Sequence, residues 1–285
     1  MNPTVVEEKP RFWNRAACYW RPTAQYCVQT EAHVYALAVA ASVLLSFYPF
    51  LILMLAFCKN VLHSTAARDA ILLALGDYFP GELGTFLQYN LGPKVVYVGH
   101  VQAMSMLLLL FTVNGIFEPL EVAFNRLWGV TKNRSYLKNQ LVALGLAFLC
   151  GSLAILSIIM TAMNQVWAVR LAPADGKASV WVNVLIFKLA ALPISILALF
   201  FVYWLLPNRR IRAVKVVPVA ILVGLSLEVL KYVYLMVWWW LGPKLAREYG
   251  VFQHSVGILL WSFVAAMLVL AGAEWAARRD IRAGE

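Results

Sequence analysis

The chain has 285 residues, of which 62% are hydrophobic and 13% are charged, and its mean hydropathy is +0.73. So apolar a composition excludes a soluble globular domain and predicts a polytopic membrane protein. A net charge of +10 would also suit a nucleic-acid-binding protein, but the positions of the basic residues, described below, favour a membrane topology signal instead.

Six apolar runs predict the fold, because each is near or above the roughly 20 residues that a helix needs to cross a bilayer. They cover residues 34–58, 101–117, 141–166, 180–206, 216–241 and 256–277. The sequence therefore predicts an all-α fold of six transmembrane helices. In this interpretation residues 1–33 precede the bundle, residues 34–277 form it and residues 278–285 follow it as a short tail.

The segment between the first two runs, residues 59–100, is too long for a simple turn. Ser64 starts a stretch that resembles a capped helix, with one apolar face that continues until Pro80 and Gly81. A second stretch, residues 82–91, repeats the helical spacing of apolar residues. We predict two amphipathic helices at the membrane surface, and we favour packing against the ends of the bundle over a role as a moving lid.

Basic residues concentrate on one side of the predicted topology. If the N-terminus lies in the cytoplasm, the inner segments hold fifteen of the 24 Lys and Arg residues, the outer segments hold seven, and the remaining two lie inside spans. This excess follows the positive-inside rule, so we predict a bacterial inner-membrane protein with both termini in the cytoplasm. It also explains the basic charge without nucleic acid, because the inner face meets anionic lipid headgroups.

Motifs for catalysis, metal binding and cofactors are absent from the sequence. It contains no GxxxxGK[ST] phosphate loop, no GxSxG nucleophile turn and no HExxH zinc helix. Its cysteines and histidines show no metal-ligand spacing. We therefore predict a protein that is not an enzyme and that needs no metal or cofactor.

Charged residues near the middle of the bilayer need an explanation. Glu228 and Lys231 lie three residues apart, about halfway along the fifth run and on one face of a helix. Lys188 in the fourth run lies at a similar depth, and Asn114 and Asn183 add amides that could face the same interior. Ionisable groups there are costly, which favours either a polar site for an anionic headgroup or an internal ion pair that holds helices together. The sequence leaves both interpretations open.

A second polar layer lies near the predicted cytoplasmic side. It contains Glu118, Glu121, Arg126 and Glu274, with further arginines nearby. Carboxylates at helix ends commonly pair with such arginines, and we favour this structural interpretation. The alternative is an acidic vestibule for a cation or a proton, with Glu118 and Glu274 as its deepest members.

Four stretches resemble the YihY/BrkB family of bacterial inner-membrane proteins, once labelled ribonuclease BN. They are LSFYPFL at residues 45–51, AFNRLWGV at residues 123–130, LPNRR at residues 206–210, and Tyr249-Gly250 followed by Leu260-Trp261 and by AGAE at residues 271–274. The positions that match the family pattern are Asn125, Pro207, Glu228, Lys231, Tyr249, Gly250 and Glu274. The resemblance implies six transmembrane helices with both termini inside, adds Asn125 to the inner polar layer, and implies transport of a lipid or other amphiphile at the cell envelope without a catalytic role.

Together these observations predict a membrane protein that binds or translocates an anionic lipid or amphiphile. Lys188 and Lys231 would contact the anionic group, and Glu228 would hold the lysines in place or exchange a proton. The expected partners are anionic membrane lipids and not nucleic acids. Two alternatives stay open: a structural or assembly protein without transport activity, and an ion- or proton-coupled transporter of a small solute. Gly145 and Gly151 in the third run suit an internal helix contact as well as a homo-oligomer.

Overall fold

The computed structural model describes residues 12–63, 65, 67–69, 71, 99–131, 134–171 and 192–282, and every structural statement below refers to this part of the chain. Its helices are α1 (Phe12–Val28), α2 (Thr30–Asn60), α3 (Gly99–Leu127), α4 (Tyr136–Leu171), α5 (Leu192–Leu205), α6 (Ala213–Tyr249) and α7 (Gln253–Arg282). One turn of 3-10 helix, Gly250–Phe252, joins α6 to α7. No strand occurs among the described residues.

Five of these helices, α2, α3, α4, α6 and α7, are long and apolar enough to cross a membrane. The prediction of an all-α polytopic membrane protein is therefore confirmed. α5 is a shorter apolar helix in the second half of the predicted fourth span, whose residues 180–191 lie outside the described part.

The predicted fifth span is shorter than the helix that contains it. α6 continues through Gly242 and Pro243 as far as Tyr249. Gly242 and Leu245 are buried, so tertiary packing outweighs the weak helix preference of the Gly-Pro pair. Gly250 then ends the helix with φ +53°, a backbone conformation that favours glycine, and this allows the tight connection to α7.

The helices of the bundle all run between the same two ends, which we call the basic end and the opposite end. At the basic end α2, α4 and α6 begin, and α3, α5 and α7 terminate. The described basic residues of these helices and connections at that end are Arg126, Arg134, Lys138, Arg209, Arg210, Arg212, Lys215, Arg278, Arg279 and Arg282. The opposite end carries Lys59, Arg68, Lys244 and Arg247.

Helices α2 and α7 form the middle of the bundle. α2 packs against α3 and α7, and α7 also packs against α6, α3 and α1, while α4 packs against α3. Most of the buried core, including Phe124, Tyr203 and Leu270, lies in the half of the bundle nearest the basic end. Phe124 of α3 stacks on Tyr203 of α5 with ring centroids 5.4 Å apart, which joins these two helices at that level.

Two helix crossings depend on glycine. A Cβ atom on Gly115 of α3 would collide with Ser42 of α2, and a Cβ on Gly224 of α6 would lie 2.7 Å from Cγ1 of Ile196 in α5. Small residues let membrane helices approach one another closely. These two glycines therefore set the spacing of α2 to α3 and of α5 to α6.

A smaller core lies at the opposite end. Leu51 and Met54 of α2 are buried there together with Ala67 and Ile71 of the segment that follows. Every described residue from 65 to 71 is helical. The described start of this segment thus packs against the bundle, as favoured above, whereas the rest of it, including the second predicted helix, lies outside the described residues.

Candidate functional site

The charged pair near mid-depth lies on a single helix, α6. Lys231 Nζ is 3.4 Å from Glu228 Oε1, about halfway along a helix of 37 residues. The Lys231 side chain is only 9% exposed, whereas the Glu228 side chain is 28% exposed. The Lys231 ammonium also lies 5.6 Å from the ring centroid of Tyr232. A cation is thus held inside the bundle, with its carboxylate counterion closer to the surface.

This ion pair is internal to α6. Residues three apart share one helix face, so helix geometry alone brings the two side chains together. It lowers the cost of placing charge in the membrane, but by itself it links no two helices. The pair alone therefore does not supply the tie between spans that the structural interpretation requires.

Aromatic side chains fill the space between α6 and α7 from the Glu228–Lys231 pair towards the opposite end of the bundle. Tyr234 of α6 packs against Trp261 of α7 with ring centroids 4.8 Å apart, and against Trp238 at 5.3 Å. Trp238 in turn stacks on His254 at 6.3 Å. A Cβ on Gly257 of α7 would lie 2.9 Å from the Trp238 ring, so the indole is pressed against the α7 backbone.

On the side that faces the basic end, α5, α6 and α7 meet closely. Tyr203 of α5 is completely buried, and its hydroxyl donates to the Val269 carbonyl of α7 at 2.7 Å. A Cβ on Gly272 of α7 would collide with Val223 of α6 and would lie 2.7 Å from the Tyr203 hydroxyl oxygen. The three helices are therefore in close contact at that level.

The other predicted mid-depth residues contribute less to the described site. Asn114 is half-buried on α3. Asn183 and Lys188 lie outside the described residues, so their roles stay predictions. The described site therefore consists of Lys231, Glu228 and their aromatic neighbours on α6 and α7.

The residues of the predicted inner polar layer fall into separate arrangements. Glu118 is exposed on α3. Glu121 is buried, and its Oε1 accepts a hydrogen bond of 3.3 Å from the Asn125 side-chain amide. Arg126 forms a 2.6 Å salt bridge with Glu31, in which both side chains are more than half exposed. Exposed pairs of this kind stabilise a protein by roughly 0–1 kcal/mol.

Glu274 forms a buried contact between α7 and α1. Its carboxylate accepts a hydrogen bond from the Thr23 hydroxyl and forms a 3.3 Å ion pair with Arg278. The Arg278 guanidinium donates in turn to the Thr23 oxygen at 2.9 Å. Trp20 stacks on Trp275 beside this group, with ring centroids 6.0 Å apart. These contacts fix α1 to the end of α7.

Burial near the C-terminal end of α1 also affects its titratable groups. Burial raises the pKa of Tyr26 to about 12, and the neighbouring Tyr35 adds to the shift. Burial likewise raises the pKa of the Cys27 thiol, and the charge of Glu274 adds to it. Both groups are therefore neutral at physiological pH, and Cys27 is a poor nucleophile.

We expect Thr23→Val to loosen α1, because the hydroxyl that bridges Glu274 and Arg278 is lost and two buried charged groups lose a partner. Each such loss costs roughly 1–3 kcal/mol. Hydrogen–deuterium exchange of the α1 backbone amides should become faster, as followed by mass spectrometry under native conditions. Gln25→Ala, an exposed change on the same helix, is the matched control, and equal exchange rates in the two variants would show that this contact does not hold α1.

Arg134, in the connection between α3 and α4, holds the end of α5. Its guanidinium donates to the carbonyls of Leu205 and Pro207, at 3.3 and 3.0 Å, and to the Asn208 side-chain oxygen at 3.0 Å. The last carbonyls of a helix have no partner within it, so this cation satisfies them and complements the helix dipole. The Asn208 backbone N–H donates to Asn125 Oδ1 at 2.7 Å, which ties the same turn to α3.

Asp280 connects the start of α6 to the end of α7. Its Oδ1 is 2.5 Å from Lys215 Nζ, and its Oδ2 is 3.9 Å from the Arg209 guanidinium. Arg209 also donates to the Trp128 carbonyl at 3.2 Å. The charged residues of the basic end that take part in these contacts therefore serve the packing of the helices.

The chemistry available at the mid-depth pair is simple. An ammonium such as that of Lys231 can bind an anion, and the Glu228 carboxylate beside it balances its charge. Among the described residues, no group of three His, Cys, Asp or Glu side chains is arranged to hold a metal ion. The pair thus provides two charged groups but no set of metal ligands.

These features define a class: a polytopic helical membrane protein with a firmly packed basic end and a lysine–carboxylate pair at mid-depth of one spanning helix. Comparison with known proteins makes the class specific. The family profile described as "Virulence factor BrkB" matches residues 24–285, and the chain belongs to this family. The family resemblance carried by the four sequence stretches is confirmed.

Curated relatives agree with this assignment. A UPF0761 membrane protein of Chromohalobacter salexigens is 26% identical over 84% of this chain and 58% of its own length. A UPF0761 membrane protein of Chlorobium chlorochromatii is 24% identical over 84% of this chain and 54% of its own length. The chain thus spans little more than half the length of these relatives. No solved structure matches it.

Two of the matched stretches meet at the basic end. The first, residues 123–130, supplies Asn125 and the Trp128 carbonyl, and the second, residues 206–210, supplies the Asn208 backbone N–H and the Arg209 guanidinium that bind them. The family pattern at these positions therefore corresponds to a joint between α3 and the end of α5.

Proposed function

We propose that the protein binds an anionic lipid or other anionic amphiphile inside the membrane and translocates it, with Lys231 meeting the anionic group. The observation that carries this proposal is the position of Lys231, which is buried and cationic halfway along a spanning helix and has a carboxylate of the same helix beside it. An apolar residue would serve packing at least as well, because a buried ion pair is costly to desolvate. Binding of an anion requires the charge.

Glu228 has a complementary part in this proposal. Without ligand, its carboxylate neutralises Lys231 and makes the charge tolerable at mid-depth. An arriving anionic group replaces the carboxylate at the ammonium, and Glu228, which is the more exposed of the two, turns away from it. Lys188 would be a second contact for the anionic group, as predicted from the sequence.

The orientation and partners follow from the same proposal. Fifteen of the 24 Lys and Arg residues lie in segments assigned to one side, which supports a cytoplasmic basic end in a bacterial inner membrane. Anionic headgroups are attracted to that side. The proposal includes no catalytic step, cofactor or nucleic acid.

Neutralising the two charges should have opposite effects on lipid binding. We expect Lys231→Gln to lower the occupancy of a co-purifying anionic lipid roughly tenfold or more, since a charge-assisted hydrogen bond stabilises a complex by about 1.5–3 kcal/mol. Glu228→Gln should raise the occupancy, because Lys231 loses the carboxylate that competes with the ligand. Native mass spectrometry of protein extracted gently from its own membrane measures both changes.

The same mass-spectrometry measurement includes a control variant and can also show that the pair is structural. Lys244→Gln removes an exposed lysine from the same helix and should leave the occupancy unchanged. If Lys231→Gln and Glu228→Gln both lower thermal stability while the bound lipids stay the same as in the unchanged protein, the pair is structural and the proposal is wrong.

A further inference from the structure

We propose that the ligand reaches Lys231 sideways from the lipid phase, across the face of α6 formed by Leu225, Glu228 and Tyr232, so that it is a membrane lipid with an anionic headgroup and not a water-soluble anion. This inference rests on the proposed function and adds the route of access and the class of ligand. We call these three residues the lateral face. Among the described residues, those near Lys231 obstruct access from both ends of the bundle and leave this face exposed.

Access from the opposite end is obstructed by aromatic rings. Tyr234 lies one turn beyond Lys231 and packs against Trp261 of α7 at 4.8 Å. Trp238 fills the next turn, where it is pressed against the backbone at Gly257. A hydrated anion moving along the interface of α6 and α7 from that side would have to displace both rings.

Access from the basic end is obstructed by close helix packing. Gly224 and Gly272 bring α5 and α7 against α6, and neither position has room for a single added carbon atom without movement of its neighbours. The buried Tyr203 hydroxyl lies at this level and donates to the Val269 carbonyl. Between Lys231 and the basic end, α6 is therefore in close contact with α5 at Gly224 and with α7 at Gly272.

The lateral face is the exposed direction. Leu225, Glu228 and Tyr232 are spaced by three and four residues, so they lie along one side of the helix. Their exposures are 47%, 28% and 46%, respectively. Glu228 on this face touches Lys231, and the Tyr232 ring lies 5.6 Å from the Lys231 ammonium. The charged pair is thus reached from the side of the helix that faces lipid.

The chemistry of this route selects an amphiphile. A phosphate or carboxylate headgroup can exchange with Glu228 at the ammonium, because both are oxygen anions that suit a lysine. The neighbouring outer surface of α6 is apolar, with Val229 at 62% and Met236 at 76% exposure, and suits an acyl chain. A small anion without a chain would have no reason to partition to this depth, since burial of an unpaired charge is costly.

Phosphatidylglycerol is the probe for the test. The full chain is placed in phosphatidylcholine nanodiscs doped with phosphatidylglycerol, and bound phosphatidylglycerol is measured by native mass spectrometry. Leu225→Trp, which crowds the lateral face, should lower the occupancy roughly tenfold. Leu144→Trp is the matched control, because Leu144 is exposed to a similar extent, 45%, but lies on α4, and it should have no effect.

A second arm uses the unchanged protein, so that the result does not depend on the folding of a variant. Glycerol phosphate, the soluble counterpart of the headgroup, should fail to displace bound phosphatidylglycerol. Displacement by glycerol phosphate, or equal occupancy in Leu225→Trp and Leu144→Trp, overturns the lateral route. Occupancy that is unchanged in Lys231→Gln overturns the proposed function itself, so the two failures are distinguishable.

Discussion

Arg134→Ala should destabilise the protein by about 3 kcal/mol, since hydrogen bonds to a charged group contribute about 1.5–3 kcal/mol and the buried carbonyls left behind are costly. Arg134 lies outside every spanning helix, yet its guanidinium holds the carbonyls of Leu205 and Pro207 at the end of α5. Thermal unfolding in detergent, followed by circular dichroism, measures the loss. Arg134→Lys should recover only part of it, because an ammonium cannot reproduce the planar fork of donors.

Lys138→Ala is the matched control for Arg134. Lys138 is a basic residue four positions further along, and it is exposed at the start of α4. Its removal should change stability by less than about 0.5 kcal/mol, as is usual for surface positions. If Arg134→Ala and Lys138→Ala unfold at the same temperature, the end of α5 is held by something other than this guanidinium.

Gly272→Ala should have an effect of similar size for a steric reason. The added carbon would collide with Val223 of α6 and would lie 2.7 Å from the Tyr203 hydroxyl oxygen. Overpacking of this kind costs about 1–3 kcal/mol, and the displaced Tyr203 would also lose its hydrogen bond to Val269. We expect a total loss of about 2–4 kcal/mol, measured by unfolding in detergent.

Gly145→Ala and a double substitution test the steric explanation. Nothing lies within 4 Å of a Cβ at Gly145 on α4, so alanine should be neutral or slightly stabilising there. Tyr203→Phe should destabilise the unchanged protein but cost little in the Gly272→Ala background, because it removes one of the two colliding groups. Additive losses from Gly272→Ala and Tyr203→Phe would be inconsistent with a shared contact.

The spans and the mid-depth pair could be predicted from the sequence because both are local features. A run of about 20 apolar residues predicts a membrane helix without reference to the rest of the chain. Glu228 and Lys231 lie three residues apart, so helix geometry alone places them together. The structure adds that the lysine is the buried member of the pair and the carboxylate the more exposed one.

The contacts of the basic end could not be predicted in the same way. Arg134 meets its partners across 71 to 74 residues, and Thr23 meets Glu274 across 251. No local pattern distinguishes Arg134 from the other basic residues nearby. Its role depends on where α5 ends in space, which is decided by the packing of α3, α5 and α7. The family pattern at Asn125 and Pro207 pointed to this region without indicating the joint.

The apolar run predicts a span that ends at residue 241, because hydropathy marks the apolar part of a helix and not its last residue. The helix passes Gly242 and Pro243 because Leu245 beyond them is buried in the bundle. Tertiary packing therefore decides where this span ends, and the local preference of two residues does not.

The placement of both charges on α6 also bears on how the chain enters the membrane. A segment with a lone lysine at its centre would be expensive to insert until another helix arrived with a counterion. α6 brings its own counterion three residues away, so it is already neutral at its middle when it leaves the ribosome and meets the lipid. Assembly of the bundle can then follow insertion, and the order in which the neighbouring helices arrive is not constrained by this charge.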